Sequence, residues 1–139
     1  LVLSVVAQNR GSDLWTLEHS AKWGKRVRAR LDALRLPTSG LHIAPLRAYN
    51  GFDWYDPPRE RMPDTFSLVI CDGPPHDTPG GRYGLLPVMK DRLAPHAVIL
   101  LDDAARSEEQ NVATRWQEEF SVTGSIAGTD KPYMILTMP

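Results

Sequence analysis

The sequence predicts an α/β domain built on a mostly parallel sheet with helices on both faces. Three observations predict it. Residues 66–71 and 97–101 are short, unbroken apolar runs, as in strands covered on both sides. Amphipathic stretches of helical period stand between such runs, the order of a β-α-β chain. Three strand candidates end in acids, at Glu18, Asp72 and Asp102-Asp103. In an open parallel sheet, ligands bind outside the carboxyl ends of the strands.

The elements follow in order. Residues 1–9 are rich in Val and Leu, which suits a strand, but Gly11 stands where a helix cap would. Residues 14–17 are a short strand candidate. Residues 20–36 read as a helix capped by Ser20, with Trp23, Val27, Leu31 and Leu34 on one face, ended by Pro37. Its basic run (Lys22, Lys25, Arg26, Arg28, Arg30) reads as a solvated face before it reads as a phosphate contact. Residues 41–44 are a further strand candidate. Residues 45–63 read as a long ordered loop, in which Trp54 and Tyr55 either flank a substrate or anchor the loop.

The second half is plainer. Asp72-Gly73-Pro74-Pro75 closes the 66–71 strand with a turn signal. Residues 83–93 read as a helix that tolerates Pro87 only in its first turn. Ser107-Glu108-Glu109-Gln110 fits a capping box, opening a helix with Val112, Trp116 and Phe120 spaced by four. Residues 121–127 and 133–138 read as two closing strands, antiparallel because a short turn joins them.

Composition bounds the function. The 139 residues suffice for one domain. A net charge of −1 gives no pull toward nucleic acid or anionic membrane. No apolar stretch approaches the roughly 18 residues of a membrane span, and residues 1–7 are too short and lack the basic leader of a signal peptide. The single cysteine, Cys71, reads as a buried thiol in a reducing, cytoplasmic setting. No G-x-S-x-G elbow and no G-x-G-x-x-G fingerprint occurs.

The acids carry the chemistry, each with a plainer reading beside it. Glu18 suits the two hydroxyls of a ribose, or a helix start. Asp72, Asp102 and Asp103 offer oxygen ligands to a hard divalent cation, or cap turns. His76 suits a general base, or is a solvent-exposed loop residue.

Taken together, "WTLEH" (15–19), "FSLVICDGPP" (66–75), "GGRYGLLP" (80–87), "LLDDAAR" (100–106) and "WQEEF" (116–120) resemble the class I S-adenosylmethionine (SAM) methyltransferases, especially small stand-alone bacterial domains. The resemblance implies a Rossmann-like doubly wound sheet with a closing antiparallel pair. It implies SAM-dependent methyl transfer to a small-molecule acceptor through an oxygen or nitrogen nucleophile. Glu18 would hold the ribose, with His19 beside it. Ala44, Pro45 and Leu46 would border the adenine, and Asp72 with Gly73 would face the methionine end. Asp72 and His76 are the catalytic candidates.

Magnesium at Asp72, Asp102 and Asp103 follows from the likeness to catechol-type enzymes, although Asp103 stands where those have Asn and their lysine base after Asp72 is missing. The family's first, central strand and its glycine-rich turn have no counterpart in these residues and are expected to precede Leu1. Residues 1–9 then become the helix after that turn, and the 139 residues alone are expected to bind SAM poorly. A homodimer is also expected. The competing readings are an inactive binding module of the same fold and another nucleotide-binding domain.

Overall fold

A computed structural model describes residues 1–139. The chain divides into two compact units, residues 1–47 with 55–60, and residues 48–54 with 61–139.

The first unit opens with α1 (Val2–Arg10), closed by Gly11 in the left-handed conformation at φ 61°. The helical alternative for residues 1–9 therefore holds. None of its residues is buried, and Val2 is 75% exposed. β1 (Thr16–Glu18) and β2 (Leu41–Ile43) pair in parallel, with α2 (Ala21–Ala33) as the crossover between them. The Ser20 hydroxyl caps α2 by accepting from the Trp23 N–H at 3.3 Å. The buried positions of α2 are Gly24 and Leu31, whereas Trp23 is 56% and Leu34 57% exposed, so the expected apolar face is narrower. Gly24 sets the approach of α2: a Cβ there would stand 2.0 Å from Ile43 Cδ1. Two of the basic side chains find local partners, Arg28 on the Leu41 carbonyl at 3.0 Å and Arg26 over the Trp23 ring.

The stretch 45–63 holds more structure than a loop. β3 (Leu46–Ala48) and β4 (Asp53–Tyr55) form a two-stranded sheet. Three-residue strands leave no readable alternation, which is why the sequence conceals them.

The second unit centres on a four-stranded sheet of order β5-β6-β8-β7. β5 (Phe66–Cys71) lies parallel to β6 (Leu93–Leu101); β8 (Tyr133–Thr137) runs antiparallel to both β6 and β7 (Thr123–Ala127). The register Cys71↔Leu101 brings the ends of β5 and β6 level. The closing antiparallel pair is thus as the sequence predicts. The expected single sheet is not: β1–β2 and β5–β8 are separate sheets, and β5 is an edge strand. An edge suits β5 poorly, because Leu68 is 54% and Ile70 43% exposed where edge strands usually carry charge.

A short 3₁₀ turn (Gly81–Gly84) leads into α3 (Leu85–Met89), a second 3₁₀ turn follows, and β6 begins at Leu93. The expected 83–93 helix is therefore cut short, with Pro87 in the first turn of α3, where it needs no N–H partner. α4 (Ser107–Phe120) begins one residue earlier than a capping box requires: its N-cap is Arg106, Ser107 turns to Glu108, and Gln110 reaches back to the Ala104 carbonyl at 2.9 Å. Trp116, Ile99, Leu101, Leu86 and Leu136 form the buried centre.

Candidate functional site

Each unit holds a group of chemically capable side chains. In the first, Glu18 ends β1. Its Oε1 accepts from the Ser20 N–H at 2.7 Å and stands 3.3 Å from His19 Nδ1. The helix-start role is therefore present. These contacts use Oε1, and with the side chain 26% exposed, Oε2 is left for a further donor such as a ribose hydroxyl. The residues thus fit the ribose end of SAM. His19 lies 6.2 Å, ring to ring, from Tyr55. Ala44 is completely buried and donates its N–H to the Glu18 carbonyl at 2.9 Å, so it braces the acid's backbone; Pro45 is exposed and Leu46 half-buried.

In the second unit, the ends of β5 and β6 bring Asp72, Asp102 and Asp103 together, with carboxylate oxygens within 4.8 Å of one another. That distance suits a divalent cation, but one oxygen of each acid is already paired. Arg82, 4% exposed, places Nη2 3.3 Å from Asp72 Oδ1 and 2.9 Å from Asp103 Oδ2, and its Nη1 donates to the Asp102 carbonyl at 2.6 Å. Arg106 Nη1 also reaches Asp103 Oδ2 at 3.0 Å. Lys131 Nζ holds Asp102 Oδ2 at 2.7 Å. Arg82 Nε faces Glu109 Oε1 at 3.6 Å, both side chains being 4% exposed.

A hard cation would compete for these carboxylates with a buried guanidinium and an ammonium, and beyond the nearness of the three acids the structure gives magnesium no support. Titrating the full-length protein with Mn²⁺ while following amide relaxation near Asp72, Asp102 and Asp103 should show no saturable broadening. Saturable broadening confined to these three would restore the metal reading.

The Lys131 hydrogen bond holds the Asp102 carboxyl below the usual carboxylate range, against the opposing effect of burial. A carboxylate depressed on folding contributes stability above its unfolded pKa, and that stability is lost as pH falls through the folded value. Lys131→Met should therefore be less stable than the parent above about pH 4, with the difference closing under more acid conditions. Urea midpoints of the two proteins across that range check this; a gap that persists or widens in acid would contradict it.

His76 and Asp72 are both exposed. Gly73 is half-buried, and its carbonyl accepts from the Cys71 thiol at 3.6 Å. Burial pushes the Cys71 thiol up to about 12, so it stays protonated and inert, as a core cysteine should. Trp54 is buried with its ring packed on Gly84, where a Cβ would stand 2.6 Å from the Trp54 Cβ, which favours the anchoring reading.

Two members of the cluster escape sequence reasoning. Arg82 sits unremarked between Gly81 and Tyr83, and Glu109 reads only as a helix-start acid. Three acids at adjacent strand ends demand a counter-charge, and that demand was the available signal.

Comparison with known proteins agrees with this architecture. The chain is similar to a solved methyltransferase from Pyrococcus furiosus, with a TM-score of 0.63 and 14% identity over 98% of this chain and 68% of that one. No protein-family profile and no curated protein matches. The fold is a mixed α/β, methyltransferase-like one. No helix is long and apolar enough to cross a membrane.

Proposed function

We propose that the protein is a SAM-dependent methyltransferase acting on a small molecule with an oxygen or nitrogen nucleophile. The observation that carries this reading is the sheet: parallel β5–β6 closed by the antiparallel pair β8–β7, in a chain similar over 98% of its length to a methyltransferase. Acids at the carboxyl ends of β1, β5 and β6 support it.

SAM, when bound, supplies an electrophilic sulfonium methyl. The protein's own contribution is to bind, orient and accept a proton. Glu18 would accept from the ribose hydroxyls through the oxygen that Ser20 leaves free. Asp72 is held from behind by Arg82 and is 68% exposed on its other side, a fixed carboxylate that can orient a donor. His76 is an exposed imidazole on the loop after β5 and can take the proton that an acceptor hydroxyl or amine loses. Arg82 is a positioning residue, since its guanidinium is occupied by the acids around it.

In the full-length protein, Glu18→Ala should weaken SAM binding by up to about 1.5–3 kcal/mol per lost charge-assisted hydrogen bond. Calorimetry that finds equal SAM affinity in the variant would remove Glu18 from the reading.

A further inference from the structure

The turn between β7 and β8 reaches the rim of the second unit. Ala127 pairs with Tyr133 at the end of the two strands, and the chain between them turns at Gly128, with φ +81°. The turn is tight: a Cβ on Gly128 would stand 2.9 Å from the Lys131 carbonyl oxygen and 3.3 Å from the Tyr133 ring. Lys131 and Pro132 are therefore delivered at fixed positions. Two contacts fasten them to the segment after β6. Lys131 Nζ donates to Asp102 Oδ2 at 2.7 Å, and the Pro132 carbonyl accepts from the Ala104 N–H at 2.9 Å. Ala104 is 1% exposed, so the second contact is sheltered from water.

Asp102 is where this strap meets the site. Its N–H donates to the Cys71 carbonyl at 3.2 Å, which ties it to the residue before Asp72. Its own carbonyl accepts from Arg82 Nη1 at 2.6 Å. Arg82 Nη2 in turn lies 3.3 Å from Asp72 Oδ1. The side chain of Asp102 is thus held from outside by Lys131, while its backbone holds Arg82 from inside. An exposed lysine–aspartate pair contributes little by itself. Here the pair bears on a buried guanidinium, and that guanidinium fixes an exposed carboxylate.

We propose that Lys131 is a positioning residue of the rim: by strapping the 102–104 segment it holds Arg82, and through Arg82 it holds the Asp72 carboxylate in the orientation that receives the ammonium group at the methionine end of SAM. The part that names SAM rests on the methyltransferase reading. The strap itself is a property of the free protein. Both the charge and the donor of Lys131 are needed for it, so arginine should replace lysine and methionine should not.

Two measurements on the ¹⁵N-labelled full-length protein test this. In the ligand-free protein the Arg82 Nη resonances should be resolved, because the contacts at Asp72, Asp102 and Asp103 hinder rotation about the Nε–Cζ bond. Lys131→Met should speed that rotation by about fivefold or more, and Lys131→Arg should stay close to the parent rate. Calorimetry then compares SAM with methylthioadenosine, which lacks the amino acid end. Lys131→Met should weaken SAM by about fivefold and leave methylthioadenosine unchanged, and Lys131→Arg should keep the parent affinity for SAM. A general loss of structure would weaken both ligands alike. Unchanged Arg82 rotation in Lys131→Met, an equal loss for both ligands, or no rescue by arginine would each overturn the proposal. A parent protein that binds neither ligand would sink the methyl-transfer reading instead, and the Arg82 rotation would then decide the strap alone.

Discussion

Replacing Arg82 with methionine should destabilise the second unit by about 3–5 kcal/mol, the usual cost of removing one partner from a buried ion pair. Arg82 is 4% exposed and touches Asp72, Asp103 and Glu109 at once, so its loss strands several carboxylates, one of them buried. The loss comes mostly from that stranded charge. Adding Glu109→Gln to Arg82→Met should therefore recover part of the stability, because the neutral amide costs less to leave unpaired than a carboxylate. Urea unfolding of both variants tests this. A loss below about 1 kcal/mol in the single variant would show that water, not Arg82, balances the acids.

Trp116→Ala should cost a comparable amount, about 3–5 kcal/mol, for a different reason. Trp116 is completely buried and is the largest side chain at the centre of the second unit. Its indole also secures the Tyr83 carbonyl. Trp116→Phe should lose less, since most of the volume remains, but it leaves that carbonyl without its donor, at about 1–3 kcal/mol. Thermal unfolding of the two variants separates filling from hydrogen bonding. Equal losses would mean that the indole N–H, not the ring volume, dominates.

The legible parts of the fold were those with long signals. β5 and the 97–101 part of β6 are apolar runs, so they could be read directly, whereas the first residues of β6, with Pro95 and His96, could not. α4 shows its core side through Val112 and Trp116, and the closing pair through its short turn. β3 and β4 were hidden in an aromatic, proline-bearing stretch because three residues cannot display a period. α2 misled for another reason. Trp23 falls on the helical stripe with Val27 and Leu31, yet the contact with Ile43 runs through Gly24, one residue along, and the indole turns outward under Arg26.

The site was legible as acids and illegible as a charge cluster. Asp72, Asp102 and Asp103 could be placed together because parallel strands end at one rim. Nothing local marked Arg82 as their counter-ion, since ten residues separate it from Asp72 and the contact depends on the turn at Gly80 and Gly81. The metal reading followed from seeing the anions without the cation. Glu109 was hidden likewise, since a glutamate in the first turn of a helix needs no further explanation until its burial is known.

Calorimetric titration of the full-length protein with SAM, S-adenosylhomocysteine, ATP and NAD tests the central reading most directly. The account predicts one-to-one binding of SAM and S-adenosylhomocysteine, with no heat from ATP or NAD. Binding of ATP or NAD with no response to SAM would contradict it and assign the fold to another nucleotide.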